Sequence, residues 1–127
     1  MSSAPTPPSP LRILVVDDEK DVRDSLDQVL RHFKHLVQTA GSADDALALF
    51  EKSKFDLVIT DYKMEGKTGA ELAREVKQRS PKTPVLMITA FAEDLQNSPR
   101  AMEHVQGLIP KPFRVEELKK AIAEVTA

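Results

Sequence analysis

The chain has 127 residues, the size of one domain, with 41% hydrophobic and 30% charged residues and a net charge of −2. That composition excludes a disordered chain, a fibre and a coiled coil, and it lacks the basic footprint of a nucleic-acid binder. With no cysteine and no tryptophan, disulfides, thiolate metal sites and cysteine nucleophiles are excluded, and little aromatic surface is left for base or sugar stacking. No apolar run approaches the roughly 18 residues of a membrane helix, and no basic start precedes a long apolar stretch, so the expected location is the cytoplasm. In chain order, residues 1–10 hold four of the nine prolines and no charged side chain, which predicts a flexible Pro-rich tail. The remainder, 11–127, reads as one folded domain. Short apolar runs occur at Ile13–Val16, Leu36–Ala40, Leu57–Thr60, Val85–Thr89 and Leu108–Pro110. The first, third and fourth are almost unbroken, the pattern of strands buried on both faces of a parallel sheet.

Amphipathic stretches lie between the runs. Val22, Leu26, Val29, Leu30 and Phe33 form one stripe, and Ala43, Ala46, Leu47 and Phe50 a second behind the N-cap Ser42. Ala70, Leu72, Ala73 and Val76 form a third, stopped at Ser80-Pro81. Glu93, Asp94, Gln96 and Asn97 read as a polar loop. Ser98-Pro99 then starts a short helix to about Val105, and Val115, Leu118, Ile122 and Val125 form the last stripe. Gly41 and Gly107 are expected in left-handed turns. His32 and His35 flank the end of the first helix, where a cation suits the dipole. The alternation of strand and helix predicts a doubly wound α/β fold: a five-stranded parallel sheet in the order 2-1-3-4-5, flavodoxin-like, with five helices.

In such a sheet the site lies beyond the carboxyl ends of the strands. There the sequence places Asp17, Asp18 and Glu19 after the first run, Asp61 after the third, Thr89 at the end of the fourth and Lys111 after the fifth. Crowded carboxylates repel and call for a hard divalent cation, which Mg²⁺ provides with oxygen ligands. An aspartate beside such a metal can attack phosphorus and form an acyl phosphate. Lys111 and Thr89 would meet the phosphoryl oxygens. The residues therefore point to a Mg²⁺-dependent phosphoryl acceptor at Asp61.

The segments ILVVDDE (13–19), DLVITDYKMEGKTG (56–69), PVLMITA (84–90) and LIPKPF (108–113) resemble the receiver domain of two-component response regulators. The resemblance extends from about Leu11 to Val125. It implies Asp61 as phosphoacceptor, Asp18 as the direct Mg²⁺ ligand, Asp17 as a ligand through water, and the main-chain carbonyl of Lys63 as a further ligand. It also implies Thr89 as the switch hydroxyl, Lys111 as the phosphoryl contact and a cis bond before Pro112. The implied donor is a histidine kinase or phosphotransfer protein. The implied output goes to a downstream protein or a separate effector domain, from a monomer or a phosphorylation-dependent dimer. Such domains catalyse their own dephosphorylation but are switches rather than enzymes with a released product. Two positions depart from the family pattern: Leu108 replaces the usual aromatic three residues before Lys111, and Glu65 follows Met64 where Pro is usual. These departures suit a phosphorylation-independent binding module, the alternative reading. A haloacid-dehalogenase-type phosphatase fits less well, because Asp17 and Asp18 are adjacent and no cap segment is present.

Overall fold

The computed structural model describes residues 10–127, so the tail expected over 1–10 lies outside the described residues except for Pro10. The elements are β1 (Arg12–Val16), α1 (Lys20–His32), β2 (Leu36–Ala40), α2 (Ala43–Lys52), β3 (Leu57–Thr60) and α3 (Gly69–Arg79). There follow β4 (Val85–Thr89), α4 (Ala92–Gln96), α5 (Pro99–Met102), β5 (Gly107–Pro110) and α6 (Val115–Thr126). All strands pair in parallel in the order β2-β1-β3-β4-β5, as the sequence predicts.

The apolar runs explain the layering. Alternate residues of a strand face opposite sides of the sheet. Ile13, Val15, Leu57, Ile59, Leu86 and Ile88 join Leu26, Leu30, Leu118 and Ile122 on the α1/α6 side. Leu14, Val16, Val58 and Val85 join Ala46, Leu47, Leu72, Ala73 and Val76 on the α2/α3 side. Each fully buried Leu or Ile contributes on the order of 1.5–3 kcal/mol.

Three sequence expectations are corrected. The described residues hold six helices, not five, because the expected polar loop is mostly helical, in α4. Ala92 and Leu95 are buried one turn apart, Leu95 N–H donates to the Phe91 carbonyl at 3.1 Å, and Asn97 Nδ2 donates to the Glu93 carbonyl. The following helix begins at the Ser98 cap as expected but ends at Met102, not Val105. The chain turns there so that Gln106 N–H can donate to the Val85 carbonyl at 2.9 Å and open β5. Among the described residues the left-handed positions are Gly66 (φ 86°) and Lys34 (φ 73°), not Gly41 and Gly107. Gly107 lacks a side chain for a different reason: a Cβ there would stand 2.8 Å from Leu86 Cδ1 and 3.0 Å from Val125 Cγ1.

The register aims the strand ends at one place. Val16 pairs with Thr60, and Thr89 pairs with Pro110. The ladder continues one step further: Asp61 N–H donates to the Val16 carbonyl at 3.0 Å, and Lys111 N–H to the Thr89 carbonyl at 2.9 Å. Asp17, Asp61 and Lys111 therefore leave the sheet at the same edge.

Candidate functional site

Lys111 Nζ donates to Asp17 Oδ2 at 3.0 Å and stands 3.3 Å from Asp61 Oδ2. The ammonium thus bridges carboxylates that follow two neighbouring central strands. The Lys111-Pro112 bond is cis. Asp17 is only 2% exposed, and its other oxygen accepts the Glu19 N–H at 2.9 Å. Asp61 is also buried, and its Oδ1 accepts the Tyr62 N–H at 2.8 Å. Among the described residues, no buried side-chain nitrogen or oxygen lacks a hydrogen-bond partner.

Burial pushes the Asp61 carboxyl above the ordinary carboxylate range. The Lys111 charge pulls it back, the Asp17 carboxylate raises it further, and the Tyr62 amide and the Lys111 hydrogen bond lower it. Burial also pulls Lys111 down, but the Asp17 hydrogen bond and charge, followed by Asp61, outweigh it and leave Lys111 above its ordinary value. Lys111 is therefore a fixed cation at neutral pH.

Asp18 is exposed, and its Oδ2 accepts the Glu65 N–H at 3.3 Å, which ties the loop after β3 to the loop after β1. Oxygens of Asp17, Asp18 and Glu19 lie within 4.8 Å of one another. Such a hard-oxygen set fits Mg²⁺, which takes one or two carboxylates and keeps several waters. Asp61 stands outside this trio and is linked to it through Lys111. Thr89 is fully buried, and its Oγ1 accepts the Phe91 N–H at 3.1 Å. Lys63 Nζ lies 5.4 Å from the centre of the Phe91 ring, a cation–π pair between the loops after β3 and β4.

Glu19 joins the acidic trio, in keeping with its place directly after Asp17-Asp18 in the sequence. One feature of the site escapes the motif reading. Arg23 on α1 donates to the Asp17 carbonyl at 2.7 Å. Its guanidinium fills the space a Cβ on Gly41 would need, 3.1 Å away, so Gly41 was its one indirect trace in the sequence. Leu108 is half-buried beside Gly107, Ala121 and Val125.

The family model for the response regulator receiver domain matches residues 13–123. The chain belongs to the response regulator receiver family. The chemotaxis protein CheY of Pseudomonas aeruginosa is 37% identical over 120 residues, which cover 91% of this chain and 95% of that protein. A response regulator receiver protein of Anaeromyxobacter is 34% identical over 107 residues, covering 84% of this chain; the match spans only 45% of that longer protein. Among solved structures, the response regulator TrrA of Thermotoga maritima, in complex with Mg²⁺ and BeF, superposes with a TM-score of 0.83 at 30% identity, covering 91% of this chain and 98% of that one. The receiver fold here is thus shared with proteins of two-component signalling. Among its described residues no helix is long and apolar enough to cross a membrane.

Proposed function

We propose that this receiver accepts a phosphoryl group on Asp61 and switches a protein-binding surface in response. The observation that carries the reading is the Lys111 ammonium held between the carboxylates of Asp17 and Asp61 at the carboxyl edge of the sheet. In the transfer, an Asp61 carboxylate oxygen bonds to phosphorus as the bond from phosphorus to the donor's leaving group breaks. With a phosphohistidine donor, the imidazole leaves and takes up a proton; hydrolysis by water later returns the carboxylate and inorganic phosphate. The donor class is a histidine kinase or phosphotransfer protein, and the output goes to a downstream protein or a separate effector domain.

Asp17, Asp18, Asp61 and the Lys63 carbonyl are the proposed Mg²⁺ ligands, with Glu19 near enough to add a water-mediated contact. Bound Mg²⁺ supplies charge compensation for phosphoryl oxygens. Lys111 neutralises the remaining charge on the transferred group, and its raised pKa keeps it protonated for that task. Thr89 donates its hydroxyl to the same group. Its oxygen now accepts the Phe91 amide, so a movement of Thr89 toward that group is transmitted to the turn that starts α4. With Leu108 at the usual aromatic position, that turn is the proposed route of output.

The test is intact mass after incubation with acetyl phosphate and Mg²⁺, beside Asp61→Ala. One phosphoryl adduct is expected, absent without Mg²⁺ and absent in the variant. Magnesium binding without any adduct would replace this reading with the phosphorylation-independent module.

A further inference from the structure

Arg23, in the first turn of α1, grips the acidic turn after β1 at both ends. Its Nη1 donates to the Asp17 carbonyl at 2.7 Å, and its main-chain N–H donates to the Glu19 carbonyl at 3.1 Å. The side-chain bond is short and charge-assisted, one of the stronger kinds. The residue is half-buried, and its guanidinium lies against Gly41, directly after β2. A Cβ on Gly41 would stand 3.1 Å from Nη1 and 3.6 Å from Cζ. Gly41 is not left-handed, so its missing side chain serves this close approach and not a turn. The neighbouring Ala40 carbonyl accepts the Asp17 N–H at 3.2 Å, so the same corner of the fold holds both polar groups of the Asp17 main chain.

The charge of Arg23 makes this contact informative. Its guanidinium forms no ion pair among the described residues, although three carboxylates belong to the turn it grips. Lys111 does the opposite and pairs with the carboxylates of Asp17 and Asp61. Arg23 meets a neutral carbonyl and leaves the acidic oxygens free. By charge alone a cation at this place opposes Mg²⁺. What it contributes is geometry. The peptide joining Asp17 to Asp18 is planar, so a fixed Asp17 oxygen also fixes the direction in which the chain enters Asp18. Asp18 is exposed, and among the described residues its side chain accepts only the Glu65 N–H, at 3.3 Å.

We infer that Arg23 is a positioning residue of the Mg²⁺ site: it clamps the Asp17-Asp18 peptide so that both carboxylates face the ion, in a space that Gly41 keeps open. The inference rests on the proposed Mg²⁺ site and adds to it a residue that meets neither the metal nor the phosphoryl group.

The experiment titrates the isotopically labelled full chain with Mg²⁺ and follows the amide signals of Asp18 and Glu19 by nuclear magnetic resonance. Arg23→Met keeps a long side chain and a good helix former. It is expected to bind Mg²⁺ about tenfold more weakly than the wild type, the scale of partners that orient metal ligands. Arg23→Lys, which keeps the charge and one donor, is expected to recover part of that loss. Gly41→Ala displaces the guanidinium and is expected to weaken binding about threefold, yet to change nothing further in the Arg23→Met background. Ile122→Val, in the core under α6, lowers stability and is expected to leave Mg²⁺ affinity unchanged. In the metal-free protein, hydrogen exchange of the Glu19 amide, which Asp17 Oδ1 accepts, is expected to quicken in Arg23→Met. Equal or tighter Mg²⁺ binding by Arg23→Met overturns the inference, because charge alone predicts that result. An equal loss in Ile122→Val also overturns it, in favour of a general stability effect. A wild type that binds no Mg²⁺ overturns the metal site itself, and the inference with it.

Discussion

Asp61 shows how one side chain carries opposing demands. In the proposed transfer its carboxylate must be ionised to attack phosphorus, yet burial raises its pKa, and only the Lys111 charge and two hydrogen-bond contacts restrain the rise. A carboxyl with a raised pKa holds its proton more tightly in the folded protein than in the unfolded chain. Its favourable contribution to folding is present at low pH and is lost as the pH rises through the raised value. Asp61→Asn is therefore expected to raise the melting temperature at about pH 7 and to have little effect near pH 3, below the ordinary carboxylate pKa of about 3.9. Thermal unfolding followed by circular dichroism at the two pH values checks this. Gly69 makes a different residue-scale point: a Cβ there would lie 2.1 Å from the Asp61 carbonyl oxygen. Its amide donates to the Tyr62 carbonyl at 2.7 Å, so α3 starts against the backbone that bears the proposed acceptor. The glycine was visible in the motif, but that contact joins positions brought together only by the fold.

At the scale of elements, the strands were legible because their apolar runs are continuous, and β2, β3 and β4 span the expected residues. The caps of α2 and α5 were legible from Ser42 and Ser98. The split of α4 from α5 was not, because its polar residues face solvent and only Ala92 and Leu95 anchor it. His35 was misread for a related reason. The residue follows α1, as a dipole-stabilised cation would, but it is buried, and its Nδ1 accepts the Leu11 N–H at 3.1 Å. Burial lowers its pKa, so it is held neutral. In the unfolded chain it takes up a proton more readily, so stability falls as the pH drops through the ordinary histidine pKa of about 6.5. Urea unfolding is expected to show a lower midpoint at pH 5.5 than at pH 7.5, a window of about one unit on either side of that value. His35→Gln is expected to shrink that difference, although it lowers stability overall by disturbing the junction of β1 with β2.

For the whole molecule, stability rests on two apolar layers that share one sheet. Leu86 is completely buried, and Leu36, on the outer strand β2, is 55% exposed. Leu86→Ala is expected to cost about 2–5 kcal/mol in urea unfolding, while Leu36→Ala stays within about 0.5 kcal/mol. The gathering of Asp17, Asp61, Thr89 and Lys111 at one edge was legible because each follows or ends an apolar run. Arg23 and the sharing of Lys111 between two carboxylates were not, since they depend on helix rotation and side-chain reach. Lys111 and Asp17 stand 94 positions apart in the chain, and Lys111 follows β5, which lies at the border of the sheet. A ribosome releases the chain from its N-terminus. Both carboxylates therefore emerge while their counter-charge is still unmade, and β1 can meet β3 only with that repulsion in place. The balance closes when the last strand and helix of the domain dock, so the pairs of Lys111 with Asp17 and Asp61 are late contacts in the assembly of this edge.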